Sequence, residues 1–577
     1  MPFFRKIIVL SLVTYYACPV FGQAYFAAPD TLCINDSLII ENQSREASSY
    51  YWNFCTGNLA YEPTSENLGN LGELNGPAFI DFAKDGNDYF AFITNSGTLA
   101  DFSPSLTRLH YGNDILSTPQ AENLDRINKA FPKHVQGVQI VQENGNWYVF
   151  VVGELGEASR LVRIDFGSSL TNDPQEVTNF GNIGEMDYPF DLYIDNIDGE
   201  WIGFTVNGTS NTITCFTFPN GIAGVPEGVN LGNLAGFDYP CGILPIKEDG
   251  AWYLFITNRL SNDISRLDFG NSLFNTPSGT SVGDAGYLDY PFDMTIIRDC
   301  EHTYGFVLNR HSDIIRLEFE NGLGAQPTYT SLGELDGFNG PQGISDVFRV
   351  GDDLYAYIVN IDGSTITRMR FVGCDNASPA SSTKRNPPPV TYNATGTYNV
   401  NLVIDEGTAQ QENYCVEIVV VDSAFVRLGN DTIIPAGNSV ELQPDAEFPA
   451  YEWSTGLTDK NITVYQAGIY SITVTNMYGC QATDEQEVLL DIGIPNFFTP
   501  NGDGYNDTWS IPFFYNEPSA DIQVFDRFGN LLVHYKSGDG EWDGTSGGRL
   551  LPTGTYWYII NISDMQKPYK GSVSIKR

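Results

Sequence analysis

Hydrophobic positions in the middle of the chain fall into short runs that recur with a long period. A proline opens each cycle (Pro77, Pro132, Pro189, Pro240, Pro291, Pro341), at intervals of 50 to 57 residues. Each proline is followed by an aromatic-aliphatic run: YFAFITN, WYVFVVG, WIGFTVN, WYLFITN, TYGFVLN and LYAYIVN. A third run comes next, such as LTRLHYG, LVRIDFG or ISRLDFG, and a fourth, such as NLGNLAGF or SLGELDGF, precedes the next proline. Short apolar runs bounded by Gly, Pro, Asn and Asp read as strands. Four strands per cycle predict the blades of a β-propeller. The fourth-strand pattern also stands before the first proline (Asn67–Pro77), whereas the sixth cycle stops after ITRMRFVGC. A displaced strand of that kind would complete the last blade and close the ring, removing two open sheet edges. Six blades are therefore expected over 66–374. An open β-solenoid has no use for the displaced strand. The GH…WD signature of WD40 repeats is missing, so the repeat does not name its own family.

The repeat is predicted to be inserted into another domain. Three strand-like runs precede it, in Leu32–Gly57, and about three follow it, in Thr391–Asp422. Neither half is enough for an independent sandwich. Downstream, 425–490 shows a similar pattern uninterrupted. There Trp453 and Gly468 are 15 residues apart, whereas Trp52 and Gly396 are 344 apart, and the propeller fills the difference. The split halves, 25–57 and 385–423, resemble a PKD-like domain (YYWNF, then GTYNVNLVI). Residues 425–490 resemble Ig-like repeats. Together these readings give an all-β protein: a propeller inserted in an Ig/PKD-like sandwich, then an Ig-like sandwich and a terminal sandwich. Cysteines at the exit and return of the insertion suggest a Cys55–Cys374 bridge, and Cys33–Cys415 would join the two halves. Cys215, Cys241, Cys300 and Cys480 have no assigned partner.

Both termini speak of export. Arg5 and Lys6 precede the apolar run Ile7–Val13, with small residues near Gly22, the order of a secretory signal peptide over 1–22. Tyr15 stands where a lipoprotein signal for Cys18 needs an aliphatic residue. No later stretch approaches 18 consecutive apolar residues, so no membrane-spanning helix is expected. At the other end, FFTPNGDGYNDTW (Phe497–Trp509), VFDRFGN (Val524–Asn530), EWDGT, LPTGTYWYII and GSVSIKR follow in order. This region, 492–577, resembles the gliding-motility-associated type B sorting domain. The resemblance implies delivery by the type IX secretion translocon to the cell surface or medium.

Charge narrows the function without naming it. Asp and Glu outnumber Lys and Arg by 71 to 30, a net −41 that repels phosphate backbones and argues against nucleic acid. From Ile492 onward there are nine acidic and seven basic residues, so the excess lies on the cargo. The five histidines (His110, His134, His302, His311, His534) lack metal-ligand spacing, and no nucleophile elbow, phosphate loop or CxxC pair occurs. No catalytic residue is assigned and no cofactor is expected, calcium excepted. Asn95, Asn207, Asn258, Asn309 and Asn360 end the second strand in five cycles. They are candidates for a ring of ligand-binding amides, or else cap their own loops. Arg108, Arg163, Arg266, Arg316 and Arg368 recur in the third strand and are read as inter-blade ion pairs. Asn501, Asp503, Asn506 and Asp507 alternate with glycines as in a calcium loop, or form a turn that nucleates the terminal domain. Trp509, Phe525, Trp542, Tyr556 and Trp557 alternate along strands and are expected in the core. The leading expectation is an exported, surface-located binding protein whose propeller recognises a glycan or protein. An extracellular polysaccharide lyase or hydrolase, or a structural motility component, is the alternative.

Overall fold

The computed structural model describes residues 24–56, 58–97, 103–124, 130–283, 285–300, 302–311, 313–373, 375–406, 412–515, 519–562 and 568–577. The expected signal peptide and Cys374 lie outside them. The chain divides into two compact units, one holding 37–419 with residues up to 30, the other 31–36 with 420–577. No helix among the described residues is long and apolar enough to cross a membrane.

The first unit is dominated by six four-stranded antiparallel blades. The second blade shows the plan: Val135–Glu143, Asn146–Gly153, Arg160–Gly167 and Glu176–Gly181 pair in sequence order. The sixth blade departs from it. Its innermost strand breaks into Pro341–Ile344 and Phe348–Val350, and its outer strand is Thr64–Gly69, paired antiparallel with Thr365–Phe371. The ring is thus closed by a strand from before the first blade. Second strands are apolar on both faces because each is sandwiched between blades; Phe92, Phe150, Phe204, Phe255, Phe306 and Tyr357 are fully buried.

Blades are joined by polar devices as well as by packing. Arg108 donates to the carbonyls of Leu170 and Asn172 in the next blade, Arg163 to those of Ile222, Ala223 and Gly224, and Arg266 to Leu323 and Ala325. Arg316 reaches Leu59 and Ala60, and Arg368 reaches Leu116. Their acidic partners sit in their own sheets: Glu122, Asp165, Asp268 and Glu66. The expected inter-blade ion pairs are therefore corrected. The carboxylate stays in the arginine's own blade, and the inter-blade bonds go to loop carbonyls. At four of these junctions the residue offering a carbonyl is a buried aliphatic plug (Leu59, Leu170, Ile222, Leu323).

Around the insertion point, Tyr50–Thr56 pairs with Gly396–Ile404 (Trp52 opposite Leu402) and with Ser381–Ser382. Strands from before and after the propeller therefore share one sheet. Trp52, Phe54 and Tyr392 are fully buried there. Blade hairpins anchor on this sheet: Arg349 lies 4.4 Å from the Tyr51 ring centroid, and Cys300 forms a disulfide with Cys415.

The disulfides differ from expectation. Cys33 bonds to Cys480 (Cα–Cα 5.8 Å) and Cys415 to Cys300 (5.4 Å), so Cys33–Cys415 is not formed. Register explains why. Val419 N–H bonds the Asp30 carbonyl and Ile34 N–H the Val421 carbonyl, which places Cys33 level with the end of Glu412–Val421. At about 3.3 Å per residue, Cys415 lies well over 10 Å back along that strand. Cys55 is disulfide-bonded, while Cys374, the partner expected for it, is not among the described residues. Cys215 and Cys241 are free.

In the second unit, two sheets share one apolar core. Thr432–Pro435, Gln481–Asp491, Gly468–Thr475 and Ala450–Trp453 form the first. The terminal sheet runs Phe497–Phe498, Tyr569–Ile575, Gly554–Asn561, Asp521–Phe525, Leu531–Lys536. Trp453, Trp509, Trp542 and Val573 lie in that common core, and the indoles of Trp509 and Trp542 donate to the carbonyls of Pro495 and Thr545. Trp557, expected inside, is 44% exposed, because its strand turns alternate residues to solvent.

Candidate functional site

One mouth of the propeller is built from the residue just before each innermost strand. In five of the six blades that position has a left-handed backbone; in the second, where His134 stands, it does not. In the first and sixth blades it is Gly76 (φ 60°) and Gly340 (φ 66°). In the third, fourth and fifth it is Tyr188, Tyr239 and Tyr290, at φ 55°, 58° and 52°. A tyrosine there carries about 1–3 kcal/mol of strain that glycine avoids. The surroundings hold it in place. The Tyr239 N–H donates to Asn211 Oδ1 (2.7 Å) and the Tyr290 N–H to Asn262 Oδ1 (2.8 Å), each on the preceding blade. Their carbonyls accept the N–H groups of Arg259 and Arg310.

The strained tyrosines belong to a continuous aromatic patch. Tyr188 meets Phe190 edge-on at 4.7 Å, and Phe190 meets Tyr239 at 5.6 Å. The Arg259 guanidinium rests 5.3 Å from Tyr239, 5.3 Å from Tyr290 and 5.0 Å from Phe292. Arg310 approaches Phe292 as well, at 5.8 Å. Burial pushes the Tyr188 phenol up to about 12, helped by Tyr239, so it is a neutral hydrogen-bonding group. Below the tyrosines, Gln136 and Gln342 from blades two apart bond each other at 2.9 Å, and Phe190, Cys241 and Phe292 lie at the same level.

Beyond that level the innermost strands enclose a cavity of about 180 Å³ that includes Asp81, Asp191, Asp293 and Asp346. Three of these carboxylates act as staples. Asp81 accepts the Ile140 N–H (2.6 Å), Asp191 the Ile243 N–H (3.0 Å) and Asp293 the Ile344 N–H (2.8 Å), each from the next blade. The second oxygen of each accepts the N–H of the following residue at 2.8 Å. Burial raises all three. Asp81 and Asp293 reach about 7, while Asp191 is held well above the usual range by burial and by Asp293. Asp346 accepts no such bond; it is surrounded by protein yet open to the cavity, and burial raises it too. Among the described residues no group of three or more His, Cys, Asp or Glu side chains is arranged to hold a metal ion.

The five candidate asparagines are fully buried. Asn95 Oδ1 accepts the Asn75 N–H, and its amide donates to Ser105 and Thr107. Asn207, Asn258, Asn309 and Asn360 accept N–H groups of Asp187, Asp238, Asp289 and Asn339 in the same way. They tie each second strand to the turn before its innermost strand and present no atom to solvent in this arrangement. Their service is indirect, since that turn carries the mouth tyrosines.

The 501–507 loop is internally satisfied. Asp507 accepts the N–H groups of Asn501, Gly502 and Gly504, Asn501 and Asp503 bond each other, and Asn506 has φ 48°. Those bonds hold the Asp507 carboxylate below its usual range. Sequence reasoning missed the mouth tyrosines and Arg259. The available signal was the alignment of NGP with DYP, which sets glycine and tyrosine in one column.

Comparisons with known proteins add a location. No curated protein matches the chain. Similar solved structures include the fucose-specific lectin from Aleuria aurantia (10% identity, TM-score 0.35, 57% of this chain and 99% of that one). AofleA from Arthrobotrys oligospora is similar at 9% identity and TM-score 0.36, over 63% and 94%. A GH43 β-1,3-galactosidase is similar at 12% identity and TM-score 0.28, over 41% of this chain and only 56% of its own length. Residues 492–575 match the CHU_C Type IX secretion signal domain, so the protein carries a type IX sorting signal that addresses it to the secretion machinery and out to the cell surface or medium.

Proposed function

We propose that this is an exported binding protein whose propeller recognises a glycan at the tyrosine-bearing mouth. In this reading residues 1–22 are the secretory signal, and the terminal domain is of the gliding-motility-associated sorting type. The PKD-like and Ig-like sandwiches are spacers. The observation that carries the proposal is the strain at Tyr188, Tyr239 and Tyr290. Two other blades meet the same backbone demand with glycine, so the tyrosines are kept for what their rings contact. Clustered aromatic faces with phenol hydroxyls suit sugar rings, which present C–H faces and hydroxyl edges.

A second reading, an extracellular polysaccharide hydrolase or lyase, is favoured by Asp346, a carboxylate facing the cavity among others of raised pKa. Against it, three of the four carboxylates spend their oxygens on backbone N–H groups. The test is a glycan array probed with the purified exported protein, with calcium and with EDTA, beside a Tyr239→Gly/Tyr290→Gly variant. Binding by the native protein and its loss in the variant is the expected result. Turnover of an oligosaccharide, abolished by Asp346→Asn, would replace the binding role with the catalytic one.

A further inference from the structure

Arg259 and Arg310 occupy equivalent places, each just after the buried asparagine that ends its second strand. Their pairing differs. Arg310 meets Asp362 at 2.6 Å. Among the described residues Arg259 makes no side-chain hydrogen bond or ion pair; its buried Nε lacks a partner, and its contacts are with three rings. Asp238, on the neighbouring turn, forms no ion pair with it. Arg427 and Arg527 also lie over rings, but each over that of a near neighbour in sequence and both are exposed, whereas the half-buried Arg259 meets rings from two blades. Arg108, Arg163, Arg266 and Arg368 each hold a carboxylate in their own sheet.

We propose that Arg259, with Tyr239 and Tyr290, forms the anion-recognising part of a saccharide subsite, which takes a sugar unit bearing a carboxylate or a sulfate. The inference rests on the propeller being a glycan reader. A guanidinium stacked on rings keeps its N–H edge free and fixed in plane, the fork that a carboxylate or sulfate accepts in two parallel bonds. The flanking tyrosines, held in their strained conformation from the preceding blades, offer ring faces beside that fork. A saccharide fits better than an acidic peptide because the patch places three rings around one cation, contact suited to a rigid ring carrying one charge.

The test is calorimetric titration of the exported protein with trigalacturonate, a sulfated galactan oligosaccharide, the neutral galactan oligosaccharide and hexaglutamate. The variants are Arg259→Met, Arg259→Lys and, as a distant control, Arg370→Gln. The expected result is that one of the anionic sugars binds at least about tenfold more tightly than the neutral one. Arg259→Met should remove about 10- to 100-fold of that affinity, Arg259→Lys less, and Arg370→Gln none, with thermal unfolding unchanged. Uronate against sulfate identifies the anion. Equal binding of neutral and anionic sugars, or an Arg259→Met variant that binds as well, overturns the inference while leaving glycan recognition standing. No saccharide binding at all overturns both. Arg259-dependent binding of hexaglutamate alone overturns the assignment to sugar.

Discussion

Two sectors of one mouth solve the same backbone problem differently. In the first and sixth blades the left-handed residue before the innermost strand is glycine, and the space beside it is filled by neighbouring loops. A Cβ on Gly76 would run into the Gly97 carbonyl, and one on Gly340 into Arg310 and Asp362. In the third to fifth blades the same position is tyrosine, strained, with room for a ring and an unpaired arginine beside it. One fold thus contains a sector where neighbouring backbone or side chains fill the space beside a glycine, and a sector where the position carries its own ring. Repetition alone produces equivalent blades; the departures from it are where the proposed ligand would be served.

The sharpest way to break this contrast is to put a side chain into the closed sector. Gly76→Ala adds left-handed strain and drives Cβ into backbone that cannot rotate away. It should cost about 3 kcal/mol or more. A fall of several degrees in the unfolding temperature of the first unit is expected by calorimetry. An unchanged transition would mean that the two sectors are interchangeable.

Much of this architecture could be read before the fold was seen. The prolines, the four runs per cycle and the displaced Asn67–Pro77 segment specified a closed six-bladed ring, because only closure uses that segment. Other features were hidden for physical reasons. Second strands are buried on both faces, so alternation could not say that Asn95 and its equivalents point inward. A Cys33–Cys415 bridge is the pairing that joins the two halves, but strand register, invisible in composition, sets Cys33 near Val421 and out of reach of Cys415. The arginines were correctly tied to blade junctions, yet sequence could not reveal that their inter-blade partners are carbonyls. The mouth was obscured by a residue type: tyrosine is a poor sign of positive φ, and only its alignment with Gly76 and Gly340 discloses the conformation.

The channel below the mouth runs through both sectors and should therefore respond as one. Asp81, Asp191 and Asp293 staple alternate blades and are all raised by burial. A carboxylate whose folded pKa lies above its unfolded value of about 4 contributes stability below that pH and loses it as pH rises through the folded value. With Asp81 and Asp293 at about 7, the first unit should lose stability between pH 4 and above 7. The loss should approach about 4 kcal/mol for the buried Asp293, the upper limit set by a rise from about 4 to about 7. Unfolding temperature measured across pH 4.5–8 checks this. Asp293→Asn should flatten the slope, even though it sacrifices one acceptor for the Ile344 or Met294 N–H. A slope unchanged by that variant would place the sensitivity elsewhere, with the Asp346 carboxylate the next to replace.

The smallest expected change in stability is also the most telling about the open sector. Tyr239→Gly removes a half-buried ring, which by area is worth about 1–2 kcal/mol, and adds glycine's conformational entropy of about 0.5–1 kcal/mol. It also releases strain of about 1–3 kcal/mol, since glycine adopts φ 58° freely. The terms nearly cancel, so unfolding should move by no more than about 1 kcal/mol, whereas saccharide affinity falls sharply. That division separates a ring kept for contact with a ligand from one kept for packing. If Tyr239→Gly instead destabilises the first unit as severely as Gly76→Ala, the ring is a structural plug against Phe190 and Arg259. The two sectors would then differ only in how they close the mouth.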